Sequence, residues 1–262
     1  MQPENTDWLA FIIRAESRDA AQILIHTGDV FTAKRFGGNQ LAIFTDAAGL
    51  SATEMQSLAH ELNFSESTFV SAPEIAAAVR RVRIFTPRVE LPMAGHPTVG
   101  TAWVLASRGE IVLEGPSTVA ILQLEIGPIS VAVEGVHRQP EFVWMTHREP
   151  TYGAIRDDRA RIASALGIDP ADIRGDLPIQ IVSTGVPFLF VPIKSVEALG
   201  RCAPNGPALA ALFDAHEEKL ALHMFAIGDS REFGVRARMF APHTVGIAED
   251  PATGGAAGPF GA

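Results

Sequence analysis

Glu90-Leu91-Pro92-Met93-Ala94-Gly95-His96-Pro97-Thr98-Val99-Gly100 is the stretch on which the fold reading turns. An extended, proline-containing segment runs into Ala94-Gly95, where small side chains let backbone approach a ligand closely. His96-Pro97-Thr98 then opens an apolar run that continues through Ala106. Proline and a short polar residue suit the first turn of a helix, so His96 is expected at or just before a helix N-terminus, with the helix running from about Thr98 to Arg108. Free N–H groups at such an end favour an anion by roughly 0.3–1 kcal/mol when exposed, and by more when water is excluded.

The same pattern returns in the second half. Arg83-Ile84-Phe85-Thr86-Pro87 precedes the first stretch, and Arg238-Met239-Phe240-Ala241-Pro242 precedes Glu249-Asp250-Pro251-Ala252-Thr253-Gly254-Gly255-Ala256-Ala257. Both copies read basic, apolar, Phe, small, Pro, then an acidic residue, then His-Pro or Asp-Pro, then Thr and Gly opening a small-residue helix. Internal duplication is the simplest explanation. If the two helix starts face each other, His96 and Asp250 flank one cleft.

Composition narrows the class. The 262 residues allow one large or two small domains, and 47% apolar content suffices for ordered cores. The chain carries a net charge of −9 and shows no basic run or aromatic platform, which argues against nucleic acid. No apolar run has the length of a membrane span, and the opening lacks a basic n-region and a full h-region, so the expectation is a cytoplasmic protein. The single cysteine, Cys202, excludes an internal disulfide and sits in an expected loop.

Around these motifs the chain alternates short strands and helices. Residues 1–21 read as an extension without counterpart in the second half. Strands are expected at Ile23 to Phe31 and Leu41 to Phe44, joined by a Phe36-Gly37-Gly38-Asn39 turn whose glycines permit positive φ. Ser51-Ala52-Thr53-Glu54 has capping-box spacing before a helix burying Met55, Leu58, Ala59 and Leu62. Asn63 to Val70 favours a strand in which alternation makes Glu66 a solvent-facing carboxylate. Val79 to Phe85 is a half-buried strand. A hairpin over Val119 to Glu134 turns at Gly127-Pro128, and Phe142 to Thr146 adds a strand. Further on come a helix from Arg156 to Leu166, strands at Ile179 to Thr184 and Phe188 to Ile193, a helix near Pro207 to His216, and strands at Leu222 to Ile227 and Phe233 to Phe240. This is α+β: two pseudo-symmetric halves, residues 22–118 and 119–262, each a curled, mostly antiparallel sheet around a central helix. The second half is expected to lack closing strands after its helix.

Glu66, His96 and Asp250 are the candidates for chemistry. A carboxylate shielded from water can be tuned to exchange protons near neutral pH, and one placed acid-base group contributes roughly 10²–10⁴ in rate, so proton transfer needs no cofactor. Backbone at Gly95, Gly254 and Gly255 can hold a substrate carboxylate, with Ser65 and Thr98 as further contacts. Each of the three also has a plain structural explanation, His96 and Asp250 as helix caps, Glu66 as a surface group; two unusual polar residues at equivalent repeat positions favour a shared site. The histidines show no paired ligand spacing, so no metal is expected, and there is no nucleophile elbow or phosphate loop.

Four segments in order, Phe36 to Phe44, Asn63 to Val70, Ala94 to Gly100 and Glu249 to Gly254, resemble the PhzF family of phenazine-biosynthesis isomerases, from about Ile23 to the end of the chain. The resemblance implies a diaminopimelate-epimerase-like fold, usually a homodimer, and a cofactor-free isomerisation of trans-2,3-dihydro-3-hydroxyanthranilate. It puts the family's acid-base glutamate on Glu66 and its substrate-contacting histidine and aspartate on His96 and Asp250. A two-thiol racemase is excluded by the single cysteine. Gln40 replaces the family's usual proline, Ser67 a threonine, and Gly255 a substrate-contacting serine. The expected substrate is a small carboxylate; the competing reading is a non-catalytic relative binding a small acid or a partner, or an inactive fragment.

Overall fold

The computed structural model describes residues 10–13, 23–213, 220–228, 234–241 and 247–262, which form two compact units, Met1–His147 and Arg148–Ala262. In the first, the strands are β1 (Ala10–Ile13), β2 (Ile23–Val30), β3 (Asn39–Phe44), β4 (Glu66–Ser71), β5 (Arg80–Phe85), β6 (Glu90–Leu91), β7 (Ser117–Leu124), β8 (Gly127–Val136) and β9 (Gln139–Met145). Helix α1 (Ala52–Leu62) connects β3 to β4, and α2 (Gly95–Ser107) connects β6 to β7. The strands form one sheet in the order β1-β2-β3-β4-β5-β7-β8-β9, with β6 attached to β5. Helix α2 packs on β2, β3 and β4 and also on β8 and β9, so the sheet curls round it without closing into a barrel.

The expected boundary after residue 118 moves to His147. The physical reason is the pairing of β7 with β5, which binds the β7–β9 meander into the first sheet; Val131, Val133 and Val143 join the α2 core. The hairpin turn lies at Glu125-Ile126, since Gly127 already pairs with Leu124. Within the stretch expected to be an extension, Ala10–Ile13 pairs antiparallel with β2, and the rest of residues 1–21 lies outside the described residues.

Close approach explains the glycines better than positive φ does. Gly37 and Gly38 both have ordinary φ, while Phe31 and Phe36 hold φ of 64° and 63°. A Cβ on Gly38 would run into the Val30 carbonyl oxygen, and one on Gly100 would come within 2.6 Å of Leu41 Cδ2. Helix α1 has the expected capping box, with Ser51 Oγ accepting from the Glu54 N–H and the Glu54 carboxylate from the Ser51 N–H; Met55 and Ala59 are buried, Leu58 and Leu62 partly so. Helix α2 starts earlier than expected, at Gly95, because Ala94 is its N-cap.

The second unit contains β10 (Thr151–Arg156), α3 (Arg159–Leu166), β11 (Ile179–Ser183), β12 (Pro187–Ile193), α4 (Val196–Arg201), α5 (Gly206–Ala210), β13 (Ala221–Ile227), β14 (Val235–Ala241), β15 (Ile247–Asp250) and α6 (Gly254–Phe260). Its sheet runs in chain order from β10 to β15. Arg156 ends a strand instead of opening α3, and α4 was not anticipated; of the expected boundary residues, His216, Phe233 and Pro242 lie outside the described residues. Gly167 caps α3 at φ 69°, a left-handed position that glycine fills without a Cβ penalty.

The duplication is visible inside each unit. In both, an antiparallel pair is followed by a parallel pair, then by two antiparallel pairs: β2/β3, β3/β4, β4/β5, β5/β6, and β11/β12, β12/β13, β13/β14, β14/β15. Side chains repeat too. Arg83 forks onto Glu90 through two 2.7 Å bonds and covers the Phe85 ring at 5.1 Å. Arg238 forks onto Glu249 at 2.6 and 2.9 Å and covers Phe240 at 4.8 Å.

Candidate active site

Strands β3 and β4 are parallel, so they start at the same end of the sheet, with Glu66 opposite Leu41, the third residue of β3. Asn39 opens one and Glu66 the other. Ser65 Oγ donates to Asn39 Oδ1 at 2.9 Å and ties the two strand starts together. The first turn of α2 brings in His96, whose Nδ1 lies 3.2 Å from Asn39 Nδ2. Its Nε2 is 3.6 Å from Glu66 Oε2, close enough for electrostatic coupling but longer than a hydrogen bond.

Glu66 is only 6% exposed, against the solvent-facing expectation. The reason is that β4 is covered on both faces. Phe69 packs with Phe44, Met55 and Ala59 on the α1 side, while Val70 packs with Ala102 and Leu105 on the α2 side. A strand buried on both faces loses the polar-out alternation from which exposure was inferred. Thr68 Oγ1 lies 2.9 Å from Thr101 Oγ1, so β4 and α2 share a buried hydroxyl pair one residue pair along from the site.

His96 is 2% exposed and its Nε2 makes no hydrogen bond among the described residues. Burial is the main cause that lowers its pKa to about 3, opposed by the Gln40 backbone. The ring is therefore neutral near neutral pH. With the Asn39 amide nitrogen as donor, Nδ1 is the acceptor and the proton of the neutral ring falls on Nε2, facing Glu66. Ala94 offers no side-chain cap, so no N-cap side chain competes for the N–H groups at the buried start of α2 beside His96.

The other expected contacts fall as follows. Gly95 is buried at the start of α2, and the Thr98 hydroxyl donates to the Ala94 carbonyl at 2.6 Å, a bond that holds the first helical turn. In the second unit Asp250 ends β15 at 5% exposure and accepts from Thr253 Oγ1 at 2.6 Å. Gly254 and Gly255, both partly buried, open α6. A cavity of about 250 Å³ adjoins Asp250, bounded also by His223, Met239, Thr253 and Phe260. Cys202 ends α4, buried, its thiol directed at the Ala198 carbonyl; burial raises its pKa, which is the opposite of an activated thiolate.

Asn39 and His223 were not identified from sequence as functional. Asn39 was legible only as the end of a glycine turn, and His223 as an ordinary member of an apolar strand. Parallel strand pairing gives the first its role, and burial beside a cavity distinguishes the second.

Comparison with known proteins agrees with this architecture. The sequence profile of the family described as phenazine biosynthesis-like protein (PhzC-PhzF) matches residues 28–262. A trans-2,3-dihydro-3-hydroxyanthranilate isomerase of Pseudomonas chlororaphis is 36% identical over 232 residues, covering 88% of this chain and 76% of its own. An uncharacterized isomerase of Mesorhizobium japonicum is 35% identical over 236 residues, covering 88% and 77%. The crystal structure of a PhzF-family phenazine biosynthesis protein from Bacillus anthracis superposes with a TM-score of 0.79 at 29% identity, over 91% of this chain and 78% of that one. With a family match across most of its length, relatives named as isomerases and the same fold, this chain belongs to the phenazine biosynthesis-like (PhzC-PhzF) family and is an isomerase.

Proposed function

We propose that the protein moves a proton between carbons of a small carboxylated, amino-bearing ring, without a cofactor; the Pseudomonas chlororaphis relative is named as an isomerase of such a compound. The buried pairing of Glu66 with a neutral His96 carries this reading. Glu66 takes the proton from a substrate C–H, holds it as the carboxylic acid and returns it at a second carbon. An Nε2–H on His96 steadies the carboxylate form at each end of that cycle. The uncapped start of α2, with Gly95, receives the substrate carboxylate, and anion binding there needs no cationic side chain. Asp250, at the repeat position equivalent to His96, is a buried carboxylate of the second unit able to accept from an amine or hydroxyl. Gly254 and Gly255 leave backbone open beside it.

The test is proton NMR of trans-2,3-dihydro-3-hydroxyanthranilate with the protein in D₂O. The parent is expected to isomerise it, and Glu66→Gln, which keeps shape but cannot cycle a proton, to lose roughly 10²–10⁴ in rate. A Glu66→Gln variant with parental activity would sink the assignment. Gly255, where the family places a substrate-contacting serine, supports a second reading as a non-catalytic binder. Binding of 2-aminobenzoate without turnover, unchanged by Glu66→Gln, would favour it. We further assign the chain to the cytoplasm as a homodimer, in keeping with the family resemblance and the single cysteine. Sedimentation equilibrium at twice the monomer mass is expected. Among the described residues, no helix is long and apolar enough to cross a membrane.

A further inference from the structure

The internal repeat marks one position where the two units differ in kind. In the first unit Thr68 stands opposite Ile84, between the partners of Arg83 and Phe85. In the second, His223 stands opposite Met239, between the partners of Arg238 and Phe240. The two residues are therefore equivalent. Thr68 is packed solid against Thr101, whereas His223 borders the cavity of about 250 Å³ that also reaches Asp250.

His223 is 7% exposed, and its Nδ1 makes no hydrogen bond among the described residues. Phe190 and Phe260 hold the ring edge-on and tilted, at centroid distances of 5.1 and 6.2 Å. Burial lowers its pKa to about 4, so it is a neutral donor-acceptor group near neutral pH. A packing residue at this place would be apolar, like its strand neighbours Leu222 and Met224, because a buried polar atom without a partner costs stability. The remaining walls are mostly apolar, Val235, Met239 and Phe260 among them; of the polar exceptions, Arg238 is forked onto Glu249 and Thr253 is bonded to Asp250, whose carboxylate repels a second carboxylate. The cavity suits the uncharged ring of a ligand, with an amine or hydroxyl directed at Asp250 and another polar substituent at His223.

We infer that His223 is a specificity-determining contact, which selects a small, ring-bearing ligand with a hydroxyl or amino substituent in the second unit's cavity. This rests on the small-ring reading above and adds the residue that reads the ring.

The experiment is an NMR titration of the full chain with 2-aminophenol, an uncharged ring bearing an amine and a hydroxyl, using the parent, His223→Leu and His223→Gln, with a thermal melt of each. His223→Leu is expected to bind at least tenfold more weakly with an unchanged or higher melting temperature, since an unpartnered polar atom is removed. His223→Gln, which restores a donor and an acceptor, is expected to recover most of the affinity. Parental affinity in a folded His223→Leu, equal loss in both variants, or no binding by the parent would overturn the inference. Turnover is read separately. Histidine-dependent binding without isomerisation supports this contact while the proposed reaction fails; isomerisation with His223-independent binding and KM does the reverse.

Discussion

Asn39 makes the chemistry of His96 specific. By donating to Nδ1 at 3.2 Å it selects the tautomer whose proton lies on Nε2, toward Glu66. Replacing the donor by an acceptor tests this without altering the size of the side chain. In Asn39→Asp the ring proton is expected to move to Nδ1, and the new carboxylate to raise the His96 pKa. Nitrogen-15 shifts of the imidazole would report both changes, together with a fall in kcat larger than the rise in KM. Unchanged shifts would show that Asn39 only fills space. Ser65, which donates to Asn39 Oδ1, fixes the amide orientation on which that tautomer depends.

At the scale of elements, the site exists because two parallel strand starts and one helix start meet. Gly38 is what lets β3 begin beside β2: a side chain there would strike the Val30 carbonyl, which is backbone and cannot turn aside. Gly38→Ala is therefore expected to cost about 1–3 kcal/mol, the usual penalty of overpacking, and to displace Asn39. Chemical denaturation measures the first effect, and a weaker Asn39–His96 coupling in NMR the second. A stability within experimental error of the parent would mean that the strand can shift at little cost. Gly100 faces side-chain atoms instead of backbone, Leu41 Cδ2 at 2.6 Å and the stiffer Val30 Cγ2 at 2.8 Å, so the same substitution there is expected to be milder only as far as both side chains can turn aside.

At the scale of the whole molecule, each unit carries a buried neutral imidazole, and both act on stability in the same direction. His96 has its pKa lowered to about 3 and His223 to about 4, in both cases chiefly by desolvation, from an ordinary value of 6.5. Between those limits the unfolded chain binds protons that the folded chain refuses, so acidification favours unfolding. These groups cost nothing above pH 6.5; their penalty grows as pH falls from there and levels off below the folded values. Each tenfold weakening of proton affinity on folding corresponds to about 1.4 kcal/mol, so the two imidazoles together amount to several kcal/mol. Unfolding free energies measured at pH 7, 5 and 4 are expected to fall steadily, and His96→Gln and His223→Leu to fall less steeply. Parallel slopes in parent and variants would show that other groups dominate.

The family, the α+β duplication and the identity of Glu66, His96 and Asp250 as the unusual polar residues were legible in the sequence, because each is written in local spacing. The Arg-x-Phe segments, the acidic residue after them and the small-residue helix starts recur as contiguous text, and the structure repeats their ion pairs and cation–π contacts. Burial was not local. Glu66 reads as exposed on an alternating strand, and only the packing of α1 and α2 on opposite faces of β4 removes it from water. The unit boundary likewise depended on β7 pairing with β5 across the intervening β6 and α2, a choice of neighbour that no window of sequence contains. Sequence periodicity records which side of an element differs from the other, whereas desolvation and the partner of each polar atom are set by whatever packs against it.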